Sequence, residues 1–251
     1  MTVISLSAIA AVILICFAVG YFIGVQSIEV TGADLASPDE IIVASGITEG
    51  SGCFSYNTTK IEDKILEKLP CISEVEVKRS AFGRVSIAVT EKTAYWYTQL
   101  FGECYVLSEE LEVIRITDDK AEVVARGLVR LDFPRVDSAL LGRIIEISDD
   151  GRDCSFVSEF LSEIRESEIY KEGRLDGVFM ETKFEIFAVC DLKYKIILGK
   201  YSSAKLKLDT ARLAIFDDSF SGEGSWSFDV SSLPKVVTRQ DDELDFSYLL
   251  P

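Results

Sequence analysis

The side chains that could do chemistry in this chain of 251 residues are its 42 carboxylates and six cysteines, because it contains no histidine. The lack of histidine removes the usual general base, the Ser-His and Cys-His nucleophile pairs and the commonest zinc ligand. Carboxylates could still form an acid/base pair, yet Asp149-Asp150, Asp217-Asp218 and Asp241-Asp242-Glu243 have the texture of solvated loops. Gly222-Glu223-Gly224 lacks the lysine and the preceding strand that a phosphate-cradling loop requires. Cys16, Cys53, Cys71, Cys104, Cys154 and Cys190 have no metal-ligand spacing, and small buried thiols are expected. Cys53 and Cys71 flank an expected helix that would hold them about 18 Å apart, too far for a disulfide. No catalytic residue, metal or cofactor is expected, and the chain reads as a non-enzyme.

The chemistry that remains is backbone pairing. Trp226, Ser227, Phe228, Asp229 and Val230 alternate as a late strand, with Trp226, Phe228 and Val230 on one face and Ser225, Ser227, Asp229 and Ser231 on the other. If this strand lies at a sheet edge, its backbone from Ser225 to Ser232 is a template for a partner strand. The apolar trio serves equally well as core. Lys193, Lys195, Lys200, Lys205, Lys207 and Arg212 gather just before it. They form either a solvated face or a patch for a partner's carboxylates, with Lys200 and Arg212 as the contact candidates. Thr238 to Pro251 reads as a tail or as a further part of the same contact.

These residues need elements to position them. An apolar run from Val3 to Val25 has no Asp, Glu, Lys or Arg and is long enough to cross a bilayer, which predicts a transmembrane helix over residues 1–26 with a very short cytoplasmic end. The bulk of the chain is then expected outside the cytoplasm. A cleaved signal is the alternative, disfavoured because the first basic residue is Lys60. The net charge of −16 gives no electrostatic footprint for nucleic acid, and −12 of it lies beyond Thr93.

Residues 27–93 form a first expected domain. Ser37-Pro38-Asp39-Glu40 is a compact helix start and Gly46 a stop; Thr59 to Glu62 reads as a second capping box, with Ile61, Ile65, Leu66 and Leu69 on one stripe up to Pro70. Glu74 to Lys78 and Arg84 to Thr90 then alternate as a hairpin turning through Gly83. The order is strand, helix, helix, strand, strand. Residues 94–232 form a second domain. Its strands fall at Tyr95–Tyr97, Tyr105–Leu107, Val113–Ile116, Phe184–Val189, Lys193–Leu198 and Trp226–Val230, with helices around Phe156–Ile164 and Ala204–Phe216. Residues 233–251 form a C-terminal segment. The fold class is α+β, a β-α-α-β-β domain followed by a mainly antiparallel sheet with packed helices.

Several segments of the first domain carry a family resemblance. They are Ile28-Glu29-Val30-Thr31-Gly32, Ala44-Ser45-Gly46-Ile47, Lys68-Leu69-Pro70, Val75-Glu76-Val77-Lys78-Arg79 and the run of Val85, Ile87 and Val89 into Thr90-Glu91-Lys92. The domain resembles POTRA, and the chain is similar to the FtsQ/DivIB family of bacterial division proteins, strongly up to Lys92 and at lower density through Cys104–Ser108 and Leu198–Leu213. Two departures stand out: Phe82-Gly83 replaces the aromatic-Pro pair of the hairpin turn, and Thr93-Ala94 replaces a later proline. The resemblance implies a scaffold at the division septum that binds FtsB/DivIC-like and FtsL-like proteins and helps control septal peptidoglycan synthesis. It also implies that the C-terminal part of the second domain receives the FtsB/DivIC-type partner. No small-molecule substrate is implied. The competing classes are an anchored cell-wall enzyme and a POTRA-type assembly factor, the latter disfavoured because such units precede a large β-barrel.

Overall fold

Ser37 begins the first helix as its residue types require. In the computed structural model, which describes residues 24–52, 55–80, 83–149, 152–153, 156–217, 224–241 and 244–250, the Ser37 Oγ accepts from Glu40 N–H at 3.2 Å. The Glu40 carboxylate in turn accepts from Ser37 N–H at 2.7 Å, closing the capping box. The chain divides into two compact units between Lys92 and Thr93.

The expected transmembrane helix needs correction. Residues 1–23 lie outside the described residues, and among those described no helix is long and apolar enough to cross a membrane. The end of the apolar run has a different use. Gly24 bridges Gly52, while Val25 is 2% exposed, donating to Ser51 C=O and accepting from Gly50 N–H, both at 2.8 Å. Apolar character that suggests a bilayer at Val25 is thus spent inside the first unit. The N-terminal membrane helix is withdrawn from the fold class, and the single-pass membrane location with it.

The first unit runs β1 (Ser27–Thr31), α1 (Pro38–Ser45), α2 (Thr58–Lys68), β2 (Ile72–Arg79) and β3 (Arg84–Glu91). The strand order is β1-β3-β2, with β1 parallel and β2 antiparallel to β3. Gly46 ends α1 at φ +70°, and Gly83 turns the hairpin at φ +77°. Ile41, Ile61, Ile65, Val77, Val85, Ile87 and Val89 are buried, whereas Leu66 of the expected stripe is 37% exposed. The start of α2 differs from the sequence reading. Asn57, a stronger cap than Thr59, accepts from Thr59 N–H, which frees Glu62 to accept from Val77 N–H on β2 at 2.9 Å.

Glu91, at the end of β3, accepts from three successive backbone N–H groups, those of Asp34, Leu35 and Ala36, at 3.1, 2.6 and 2.9 Å. It fixes the entry to α1. Gly32 opens that loop at φ +85°, and a Cβ there would sit 2.1 Å from the Val89 carbonyl oxygen. Here the resemblance-bearing Gly32 and Glu91 have one shared purpose, closing the β1–α1 connection against β3.

The second unit holds a nine-stranded sheet. Its strands are β4 (Trp96–Leu100), β5 (Glu103–Leu107), β6 (Val113–Thr117), β7 (Val129–Asp132), β11 (Leu175–Thr182), β12 (Glu185–Cys190), β13 (Tyr194–Gly199), β14 (Trp226–Asp229) and β15 (Val237–Gln240). The order is β15-β14-β13-β12-β11-β7-β4-β5-β6. The β4–β7, β7–β11 and β13–β14 pairs are parallel and the other five antiparallel, so the sheet is a mixed one in which antiparallel pairs predominate. Crossovers cause this: β13 reaches its parallel neighbour β14 through helix α6 (Ala204–Ile215). Helix α3 (Lys120–Ala125) precedes β7, and α4 (Phe156–Glu166) and α5 (Glu168–Lys171) precede β11. The remaining strands, β8 (Val136–Ser138), β9 (Glu146–Asp149) and β10 (Arg152–Asp153), form a small separate sheet.

One face of the large sheet meets α4 and α6 in the main core, around Trp96, Leu131, Phe160, Ile164, Val178, Ile196, Leu208 and Phe228. On the other face, Phe179 stacks on Phe187 with centroids 4.8 Å apart, and Phe246 and Leu249 of the C-terminal segment pack with them. The segment that reads as a possible tail is therefore a strand followed by a cover for the second face.

Candidate partner-binding edge

Phe228 and Val230 are fully buried, and Phe228 meets Tyr194 edge-on at 5.9 Å. Trp226 is half-buried. Core packing therefore accounts for two of the three apolar side chains. The backbone around them is also committed. β14 lies between β13 and β15, with Ser227 opposite Lys195 on one side and Arg239 on the other. Val230 N–H donates to Ile197 C=O at 3.0 Å, and Asp229 caps Ser231 N–H at 2.9 Å. The condition that β14 be an edge is not met.

The edge is β15. Among the described residues it has a strand neighbour on one side only, β14, and all four of its residues are exposed. Asp241 N–H donates to Ser225 C=O at 3.0 Å. Because backbone groups alternate along a strand, Arg239 also faces β14, and Thr238 directs its N–H and C=O away from the sheet. Sequence reasoning missed this strand. The β-branched run Val236-Val237-Thr238 was its signal, obscured by the acidic residues that follow.

The basic residues do not form one patch. Arg212 on α6 makes a two-pronged pair with Glu172, its Nε 2.9 and 3.0 Å from the two carboxylate oxygens, which pins α6 beyond the end of α5. The Glu172 carboxyl is held below its ordinary value by those hydrogen bonds, and the Arg212 guanidinium is raised by the same contact. Lys205 pairs with Asp209 at 2.9 Å. Lys207 is buried and donates to the Leu198 and Lys200 carbonyls at 2.8 and 2.7 Å, tying the exit of β13 to α6. Burial lowers its pKa. Lys195 lies on the second face, 4.2 Å from the Phe187 ring centroid.

Part of the candidate set does converge. Lys200, Ser231 and Ser232 line a recess of about 440 Å³ on that second face, floored by Phe187 and Ile197. Arg212 is not in it. Nothing in the recess has the makings of a reaction centre, and among the described residues no cluster of three or more Cys, Asp or Glu is placed to hold a metal ion. Cys71, Cys104 and Cys190 are buried, and desolvation raises the thiol pKa of Cys104 and Cys190. Cys16, Cys53 and Cys154 lie outside the described residues.

Residues 24–92, the whole described part of the first unit, match the family model for the POTRA domain of FtsQ type. The chain is 32% identical over 104 residues to the cell division protein FtsQ of Corynebacterium glutamicum, covering 41% of this chain and 46% of that protein. It is 21% identical over 208 residues to the cell division protein DivIB of Clostridium botulinum, covering 81% of this chain and 76% of that one. The chain is thus similar to FtsQ and DivIB proteins, with an FtsQ-type POTRA domain at residues 24–92. FtsQ of Streptomyces coelicolor is also similar, 32% identical over 68 residues, 27% of this chain and 26% of that protein. The matched stretches thus span less than half of either FtsQ relative. The likeness to DivIB extends through most of the second unit.

Proposed function

We propose that this chain is a non-enzymatic scaffold of the bacterial division machinery. It adds a strand of an FtsB/DivIC-like protein to the free side of β15, with an FtsL-like protein in the same assembly, and so helps control septal peptidoglycan synthesis. The observation that carries the reading is the position of β15, a short exposed strand with one strand neighbour among the described residues. Main-chain hydrogen bonds would supply affinity there. Ser225 to Ser232 then support the interface from behind.

The alternation along β15 provides the test. Thr238→Pro removes an outward N–H and leaves the ladder to β14 intact, whereas Arg239→Pro breaks that ladder. Calorimetric titration with a purified FtsB/DivIC-type partner should show Thr238→Pro weakening binding by at least about tenfold while thermal unfolding is unchanged, the loss expected from interrupting one or two pairing bonds of about 1 kcal/mol each. Arg239→Pro should lower both. A folded Thr238→Pro variant that binds with unaltered affinity would remove β15 from the interface.

A further inference from the structure

At the opposite end of the large sheet, the loop from Leu140 to Ile145 exposes three aliphatic side chains. Leu140, Leu141 and Ile144 are 63%, 47% and 61% exposed. The loop backbone is nevertheless tied down. Gly142 N–H donates to Val113 C=O at 2.8 Å, Val113 N–H to Arg143 C=O at 2.9 Å, and Ile145 N–H to Leu111 C=O at 2.9 Å. Ile145 itself is buried. An apolar cluster held in place on a fixed backbone and facing water is the pattern of an interaction surface.

The cluster borders a groove of about 680 Å³ between this loop, the β5–β6 turn and α4, floored by Leu111, Ile145, Val157 and Leu161. The wall formed by α4 is low, made by Ser158 and Ser162 one helical turn apart. A second hollow continues over Ile144 to Leu140 and Arg143. Glu109, Glu110, Glu112 and Glu146 stand around these hollows. Arg165 does not offset them toward a ligand, because it is salt-bridged to Glu109 and stacked over Tyr95 with its guanidinium carbon 4.2 Å from the ring centroid. Arg143 is the other cation lining the hollows, so the rim is net acidic. It belongs to a unit that carries −12 of the chain's −16.

We propose that this groove docks a basic amphipathic helix of a partner protein. Apolar side chains of the helix would cover Leu140, Ile144 and the floor, and its Lys or Arg residues would meet Glu110 and Glu146. The proposal is independent of β15 and of the division reading.

The test uses the full-length chain and a fluorescein-labelled peptide of about fourteen residues with Leu and Lys at helical spacing. Its Glu-for-Lys counterpart and a scramble of the same composition serve as comparison probes, and binding is read by anisotropy. The Lys peptide should bind best, and at least about tenfold better than the scramble, since only the amphipathic order aligns an apolar face with the groove. Ile144→Asp, at an exposed position, should weaken it about tenfold. The pair Glu110→Lys and Glu146→Lys should weaken it similarly while strengthening the Glu peptide. Thr238→Pro should change nothing, which separates this site from the β15 edge. Unfolding curves confirm that each variant is folded. Equal binding of the scramble, indifference to the groove variants, or loss of binding in Thr238→Pro would each overturn the proposal. Self-association of the chain abolished by Ile144→Asp would also overturn it, since the occupant would then be a second copy.

Discussion

Replacing Glu91 tests how the first unit is closed. Its Oε2 accepts from Asp34 and Leu35 N–H and its Oε1 from Ala36 N–H, at 3.1, 2.6 and 2.9 Å. A hydrogen bond to a charged group contributes about 1.5–3 kcal/mol, and an amide left without an acceptor in a buried position costs about as much. The loss at Asp34 is partly made good by water, since that bond is exposed. Leu35 and Ala36 are 6% and 2% exposed and have less recourse. Two poorly replaced bonds, each at the low end of the range because Glu91 is itself half-buried, give about 2–4 kcal/mol for Glu91→Ala. In a unit this small that is a large share of total stability. Glu91→Gln keeps one acceptor oxygen and turns an NH₂ toward a donor, so it should lose roughly half as much.

Both tryptophans, Trp96 and Trp226, lie in the second unit, so indole fluorescence would miss the effect. Native-state hydrogen exchange of the Leu35 and Ala36 amides reads it directly. The reasoning fails if Glu91→Ala leaves their protection within about 0.5 kcal/mol of the parent, or if Gln and Ala behave alike.

Gly32→Ala should destabilise the first unit by more than about 2 kcal/mol, because the added Cβ meets the Val89 carbonyl and the residue needs a positive φ; exchange of the β1 amides would show it. Burial pushes the Asp176 carboxyl up to about 6 from 3.8, although it accepts from Leu192 N–H at 2.6 Å. A raised carboxyl favours the fold only while protonated, so its contribution is complete below its unfolded value and is lost as pH rises through about 6. Asp176→Asn keeps the acceptor. Discounted for partial exposure, it should add about 1 kcal/mol above pH 7 and almost nothing near pH 4, measured by urea unfolding with tryptophan emission. A fragment of residues 24–93 should unfold cooperatively by circular dichroism; a broad, non-cooperative melt would mean that its core is incomplete alone.

Local chemistry made the POTRA unit legible. Ser37, Glu40 and Gly46 act within a few residues of one another, and the alternation of Val85, Ile87 and Val89 needs only a buried face. The capping box at Thr59 was misread because Asn57, two residues earlier, competes for the same amides, and a sequence does not show that Glu62 has a better use at Val77. Val25 shows the limit of hydropathy: apolar residues suit a bilayer or a core, and only the pairing with Gly50 and Ser51 decides between them.

In the second unit, the elements that interrupt the simple pattern stayed hidden. β11 contains Gly177, buried under the Phe179 ring, and Asp176, both poor strand formers that the sheet tolerates because β7 and β12 flank them. The sequence by itself determined that the chain lacks histidine chemistry and that it resembles the FtsQ/DivIB family. Tertiary structure decided which strand is the edge. Trp226 to Val230 and Val237 to Gln240 are both β-type runs, and the outer place goes to β15 because α6 returns the chain parallel to β13, putting β14 against the sheet before the last strand can join.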